Sequence, residues 1–179
     1  MKELLKRYWL VALFKESPAN TPYSAFLLGL FLIVYWLTLV FQWTYAPKPI
    51  AAPLAMLFFA GLILLGSYGL YVWLVLRLHN KTSRFLQTFT TLIACSWIIH
   101  LLAFPLMLTA PFLLKSNLEQ MVMLLLAILY LLVTMALSAW QFLATAYIFK
   151  AAIEIDWLTS ILISFGLLAF NVLAVSYLN

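Results

Sequence analysis

Few side chains in this 179-residue chain could do chemistry, because 67% of it is hydrophobic and only 8% is charged. His100 is one of them, an imidazole between apolar neighbours in "SWIIHLLAF". Alone it could relay a proton or bind a ligand, yet a lone intramembrane histidine is more often a packed, hydrogen-bonded residue. Thr134, Ser138, Gln141 and Thr145 recur at spacings of four, three and four, which sets them on one face of a helix. Such a stripe can bond neighbouring helices or line a path for a solute. A third group is charged: Arg77, Lys81 and Arg84 in "RLHNKTSR", with Lys150, Glu154 and Asp156 further on. Those six are candidates for contact with a protein partner or with lipid phosphate.

The chemistry of catalysis lacks its usual sequence patterns. There is no HExxH, no GxSxG, no phosphate-binding loop and no dinucleotide-binding glycine pattern. "GSYG" at 66–69 is out of register with an intramembrane serine-protease motif. Cys95 is the only cysteine, so it forms neither an internal disulfide nor a CxxC pair. Only His79 and His100 could ligate haem, and they fall at different depths of one hairpin. The expectation is no catalytic residue, no metal ligand and no cofactor.

The elements that carry these residues follow from the solvent. A mean hydropathy of +1.10 and 17% aromatics exceed what a soluble fold can bury. Uncharged runs extend over 17–47, 49–76, 85–114, 120–149 and 157–179. Each exceeds the roughly 20 residues a helix needs to cross the hydrocarbon of a bilayer. Helices are expected rather than barrel strands, because the runs are continuously apolar rather than alternating. The sequence therefore predicts an all-α, polytopic helical bundle forming a single membrane domain over 1–179, with spans near 23–45, 51–77, 85–113, 119–148 and 157–178.

Short connections between five spans alternate sides of the membrane. One side collects Lys2, Lys6, Arg7, Lys15, Arg77, Lys81, Arg84 and Lys150; the other has Lys48 and Lys115. The excess of Lys and Arg marks the cytoplasmic side. That places the N-terminus in the cytoplasm, Asn179 outside and "RLHNKTSR" in the cytoplasmic turn between the second and third spans. On that side the "NKT" glycosylation pattern is chance, and three basic residues are fewer than an anionic-lipid cluster usually holds.

Residues 1–20 read as a cytoplasmic amphipathic N-terminus. Leu4, Leu5, Tyr8, Trp9, Val11 and Ala12 gather on one helical face, with Lys2, Glu3, Lys6 and Arg7 opposite, as in an interfacial helix. Lys15 and Glu16 interrupt the apolar stretch too early for a secretory signal. Pro18 and Pro22 are expected to end this helix, and Pro105 and Pro111 to kink or end the third span. Gly61, Gly66, Ser67 and Gly69 offer close backbone approach in the second span, and Thr88, Thr91 and Cys95 give the third a face of small residues. Six tryptophans from Trp36 to Trp157 fit belt or packing roles.

Over roughly residues 20–178, this pattern of spans resembles the Yip-domain family of small integral membrane proteins. The likeness rests on the basic turn after span two, "TSRFLQTFTTLIACSWIIHLLAFPL" entering span three and "WQFLATAYIFKAAIEIDWLTSILISFG" joining spans four and five. The resemblance implies five spans and a cytoplasmic N-terminus, in a compact bacterial-type relative. Eukaryotic members are associated with Rab-type GTPases through a long hydrophilic N-terminal region that this sequence does not show, and the family supplies no catalytic residues to carry over.

The expected function is a non-enzymatic scaffold or accessory subunit in a bacterial cytoplasmic (inner) membrane. A transporter or channel component is the alternative, and a lipid-modifying enzyme ranks below it. Expected partners are the bilayer and other membrane subunits or further copies of the chain, with no nucleic acid. The charge asymmetry makes a direct prediction: a reporter active only outside the cytoplasm works when fused after Asn179 and fails when inserted near Lys81. The reverse pattern in an activity assay of the two fusions overturns this topology.

Overall fold

Hydrocarbon offers a backbone no hydrogen-bond partner, so each apolar run must close its own N–H and C=O groups as a helix. The computed structural model describes residues 2–45, 53–115 and 121–176. Among these are six α-helices: α1 (Lys2–Ala12), α2 (Ala25–Tyr45), α3 (Leu54–Leu78), α4 (Phe85–Lys115), α5 (Met121–Ile153) and α6 (Trp157–Ser176). Helices α2 to α6 are long and apolar enough to cross a membrane. They match the five expected spans to within a few residues; the expected ends at 51, 119 and 178 lie outside the described residues, as does Lys48.

The five long helices pack as a closed ring in the order α2, α4, α5, α6, α3 and back to α2. Aromatic and hydrogen-bonded contacts mark the seams. Phe41 stacks on Phe104 at 5.7 Å, and Trp97 Nε1 donates to Thr38 Oγ1 at 3.1 Å between α2 and α4. Phe142 meets Phe165 at 4.6 Å between α5 and α6. Tyr71 donates its hydroxyl to the Ile163 carbonyl at 2.8 Å between α3 and α6, and Trp36 Nε1 reaches the Phe58 carbonyl at 3.2 Å between α2 and α3. Helix α5 is the most apolar of the set and turns most of its outer half outward, with Met121, Val122, Leu125 and Leu132 all more than half exposed.

Helix α1 does not lie free on a membrane surface. It docks into the ring, burying Tyr8, Val11 and Ala12 completely while Leu5 and Trp9 stay partly exposed. Tyr8 meets Phe31 edge-on at 5.1 Å, Trp9 meets Trp140 at 5.8 Å, Cys95 Sγ approaches the Tyr8 carbonyl at 3.6 Å, and Trp140 Nε1 donates to the Ala12 carbonyl at 2.7 Å. The apolar face read from the sequence is thus used against α2, α4 and α5.

Prolines do not set the helix ends expected of them. Helix α1 stops at Ala12, before Pro18, because Phe14 turns left-handed (φ 61°) and Lys15 N–H reaches back to the Leu10 carbonyl at 2.8 Å. Helix α4 runs through both Pro105 and Pro111 to Lys115, so neither ends it. A proline removes one helical bond, and inside a membrane bundle neighbouring groups tolerate that loss. Pro18 opens a short 3-10 turn at Pro18–Asn20 instead.

Gly61 and Gly166 are where helices come closest. A methyl group at Gly61 would lie 2.7 Å from the Trp36 ring, and one at Gly166 would collide with the Tyr71 hydroxyl. Gly69 faces Phe89, whereas Gly66 borders open space and makes no such approach. Replacing Gly166→Ala should therefore push Tyr71 off the Ile163 carbonyl and cost about 1 kcal/mol or more. In a Tyr71→Phe background the collision is reduced to a ring-carbon contact of 3.2 Å. Thermal unfolding in mild detergent should then show a smaller penalty for Gly166→Ala than in the parent; equal penalties disprove the close approach.

Candidate functional site

Among the described residues two clusters of polar side chains stand out, one at the basic end of the ring and one inside it. At the basic end, three helices terminate in the same way. Phe14, Asn80 and Glu154 all adopt left-handed backbone (φ 61°, 56° and 59°) one or two residues after α1, α3 and α5. In each case the next residue reaches back to close the final turn: Lys15 to Leu10, Lys81 to Leu76 and Ile155 to Lys150. This is the Schellman arrangement, which usually takes glycine. Asn80 tolerates it; for Phe14 and Glu154 it costs roughly 1–2 kcal/mol that other contacts must offset.

Those contacts are visible. Glu154 pairs with Lys81 Nζ at 2.9 Å and with Arg84 Nη2 at 2.7 Å, and Arg84 also donates to the Ala152 carbonyl at 3.0 Å. Arg84 thus neutralises the carbonyl end of α5 as well as its carboxylate neighbour. Phe14 packs edge-on against Tyr147 at 5.4 Å. The other charged candidates are engaged too. Arg77 lies over the Trp73 ring at 4.9 Å, Lys150 over Trp157 at 4.8 Å, and Asp156 caps α6 by accepting from Thr159 N–H at 3.0 Å and its hydroxyl at 2.7 Å. All six candidates from the sequence lie at this end; Lys81, Arg84, Lys150, Glu154 and Asp156 engage the chain's own turns and helix ends, while Arg77 lies on a ring of its own helix.

The second cluster lies within the ring, around a cavity of about 400 Å³ to which all five long helices contribute. Helix α2 supplies Tyr35 and Trp43, α3 supplies Tyr68, α4 supplies His100, α5 supplies Ser138, Gln141 and Thr145, and α6 supplies Ser164 and Asn171. At 1.5 Å rise per residue, Thr145 lies about 12 Å and His100 about 22 Å from the basic ends of their helices. Trp43 and Asn171 approach the opposite end, so the cavity begins above the basic turns and extends away from them. Three residues of the α5 stripe line it directly. Thr134, the fourth, closes its hydroxyl on the Tyr130 carbonyl at 2.8 Å and borders an adjoining space of about 200 Å³ between α4 and α5, which shares His100, Ser138 and Gln141 with the first.

His100 is tightly specified. Gln42 donates Nε2 to the His100 backbone carbonyl at 3.0 Å, which orients its amide and leaves Oε1 facing the ring Nδ1 at 2.8 Å. An amide oxygen only accepts, so Nδ1 carries the proton and Nε2 is the acceptor. Tyr35 then donates its hydroxyl to Nε2 at 3.2 Å. The result is a neutral relay, Tyr35 to His100 to Gln42, at the cavity wall. A second link joins α3 to α6 where Ser67 donates to Asn171 Oδ1 at 3.0 Å. Every polar group around this cavity is uncharged, in keeping with the cost of a charge in hydrocarbon.

Sequence reading found the α5 stripe and His100 but missed their partners. Gln42 is the only amide of α2 and Asn171 the only one of α6, and a lone amide inside an apolar run was a usable signal for both. Tyr35 and Tyr68 gave none, being two of nine tyrosines. Among the described residues, no three His, Cys, Asp or Glu side chains are grouped to hold a metal ion. No family model, curated protein or solved structure matches the chain.

The Lys81 and Arg84 hydrogen bonds hold the Glu154 carboxyl below its ordinary value, and Thr159 does the same for Asp156. A carboxyl depressed in the folded state stabilises above its unfolded pKa and loses that contribution as pH falls through the folded value. Stability should therefore drop as pH falls below about 4.5, the ordinary glutamate value. Glu154→Gln loses the charge, so its unfolding midpoint should lie below the parent's at neutral pH and converge on it as pH falls through the folded Glu154 value. A gap that persists unchanged at acid pH refutes the ion-pair account.

Proposed function

We propose that this chain is a non-enzymatic, multi-pass membrane protein of the transporter or carrier type, whose working part is the cavity inside the helix ring. The observation that supports this most is the convergence of neutral hydrogen-bonding side chains from all five long helices on one space. Helix packing alone needs polar groups paired across seams, as Trp97 and Thr38 are. Here Ser138 and Gln141, together with Tyr35 and Ser164 beyond the bonds these make to His100 and the Ser160 carbonyl, border a volume large enough for a small molecule. The basic end faces the cytoplasm in this reading, and α1 with its following turn closes the ring on that side.

A second reading, an accessory subunit or Yip-like scaffold of the bacterial inner membrane, is favoured by the outer half of α5, whose apolar side chains face outward. The engagement of Lys81, Arg84 and Glu154 with one another makes the basic turn a weaker candidate for its partner contact.

Cysteine accessibility separates the two. In a Cys95→Ala background, Ser138→Cys and Ser164→Cys should react with a small hydrophilic thiol reagent added from the non-cytoplasmic side and resist it from the cytoplasmic side. Leu162→Cys, 62% exposed on the outside of α6, should stay inert to the same reagent in the bilayer. Cavity cysteines unreactive to this reagent from both sides and also to a membrane-soluble thiol reagent would defeat the carrier reading and leave the scaffold.

A further inference from the structure

The central cavity adjoins a crevice in the wall of the ring. Its wall at His100, Ser138 and Gln141 is shared with the space between α4 and α5, whose other side is formed by Ala103, Leu106, Met107 and Leu137. That space in turn shares Leu106 and Tyr130 with an apolar groove of about 580 Å³ running along the outside of the same two helices past Phe112, Leu126 and Leu129. Phe112, Leu126 and Leu129 are 77%, 46% and 57% exposed, so the groove opens onto whatever surrounds the ring. In a membrane that surrounding is acyl chain. Groove, crevice and chamber therefore lie in series between α4 and α5, parted by the side chains they share, His100, Ser138 and Gln141 on the inner side and Leu106 and Tyr130 on the outer.

We infer that the molecule held in the cavity is a neutral lipid with a small hydroxyl- or carbonyl-bearing head, which reaches the chamber sideways through the α4–α5 crevice and leaves its tail in the apolar groove. This rests on the ligand-holding reading of the cavity and gives that ligand a chemical class. The crevice meets the chamber at His100, Ser138 and Gln141, near the middle of α4 and α5, where an ordinary phospholipid would have to drag its phosphate into hydrocarbon. An uncharged lipid such as a polyprenol or a quinone is not tied to the interface and presents its head at mid-depth freely. The lining offers such a head both kinds of partner: hydroxyl and amide donors for a carbonyl, and amide and hydroxyl oxygens for an alcohol. Among the described residues no cation lines the chamber to hold a phosphate or carboxylate: Lys81 and Arg84 are paired at the basic end, and Arg77 and Lys150 lie over tryptophans there. Ala103 and Met107, one small and one flexible, stand at the crevice where a tail must pass.

The test uses the full chain in lipid nanodiscs and a polyprenol bearing a diazirine on its tail. After illumination, labelled residues should concentrate at 103–113 and 126–137. An unlabelled short-chain quinone or polyprenol should compete, and the matching polyprenyl phosphate should compete at least tenfold less well. Ser138→Leu with Gln141→Leu should reduce labelling of that segment severalfold, and Ala103→Trp, which blocks the crevice from the lipid side while leaving the chamber intact, should do the same. Leu162→Trp, on the outside of α6, should not. Labelling spread evenly over the exposed helices, or equal competition by the phosphate, overturns the inference. If the cavity cysteines react with aqueous reagent while the polyprenol fails to label the crevice, the cavity still holds a ligand but not one of this class.

Discussion

Inside hydrocarbon every polar group must find its partner within the protein, and this constraint shapes the molecule at each level. It turns the five apolar runs into helices, then dictates what their few polar side chains can do. Threonines and serines satisfy themselves on the carbonyl one turn back, as Thr38, Thr90, Thr134, Thr145 and Ser164 do. The Gln42 amide and the His100 imidazole instead bond each other across helices. Gln42 and His100 bind twice, ring to amide oxygen and amide nitrogen to backbone, which fixes α2 against α4 at a single register. Ser67 with Asn171 and Tyr71 with Ile163 do the same for α3 and α6. With two seams fixed in this way, α5 closes the ring, and the remaining polar groups are left facing its interior.

The same logic explains the contrast between the two ends of the ring. At the basic end water is available, charges are affordable, and strained turns persist because ion pairs and aromatic contacts hold them. Glu154 sits in a left-handed conformation that its type disfavours, and its carboxylate is clamped by two cations from the α3–α4 turn. The clamp joins the end of α5 to the turn between α3 and α4, two segments 70 residues apart in sequence that neither packing pattern nor periodicity relates. Exposed pairs of this kind contribute little to stability individually. Their value here is geometric, since they tie the end of α5 to the turn between α3 and α4.

How much of this was legible in the sequence depends on the range of the interaction. Charge-free length alone placed all five long helices, because crossing a bilayer is a local requirement of each run. The α5 stripe was legible because helical spacing is local too. What faced it was not, since the likeness of Tyr35, Gln42 and His100 to any other residues of their types ends only when α2 and α4 are laid side by side. Helix α1 shows the intermediate case: its apolar face was evident, but whether that face met lipid or protein depended on a groove made by Phe31, Cys95 and Trp140 from three different helices. The helix ends misled for a related reason. Proline is a strong local signal, but Phe14 ended α1 first, and the proline-bearing stretch of α4 continued because the surroundings of a helix in a bundle decide whether a missing bond matters.

Docking of α1 also bears on what kind of carrier the ring could be. Its seal on the basic side combines a fully buried Tyr8, Val11 and Ala12 with hydrogen bonds from Trp140 to Ala12 and from Tyr147 to the Glu16 carbonyl. Below it, Thr21 bonds Thr91, and Gln87 holds the Ala19 and Thr21 carbonyls at 2.7 Å each. Opening a path through that end would require these contacts to break together, including a buried threonine pair with no water to replace its partner. A ligand that enters from the side needs none of them to move. In the carrier reading, the sealed basic end and the α4–α5 crevice are therefore two parts of one arrangement, which favours exchange with the surrounding membrane over exchange with the solution at the basic end.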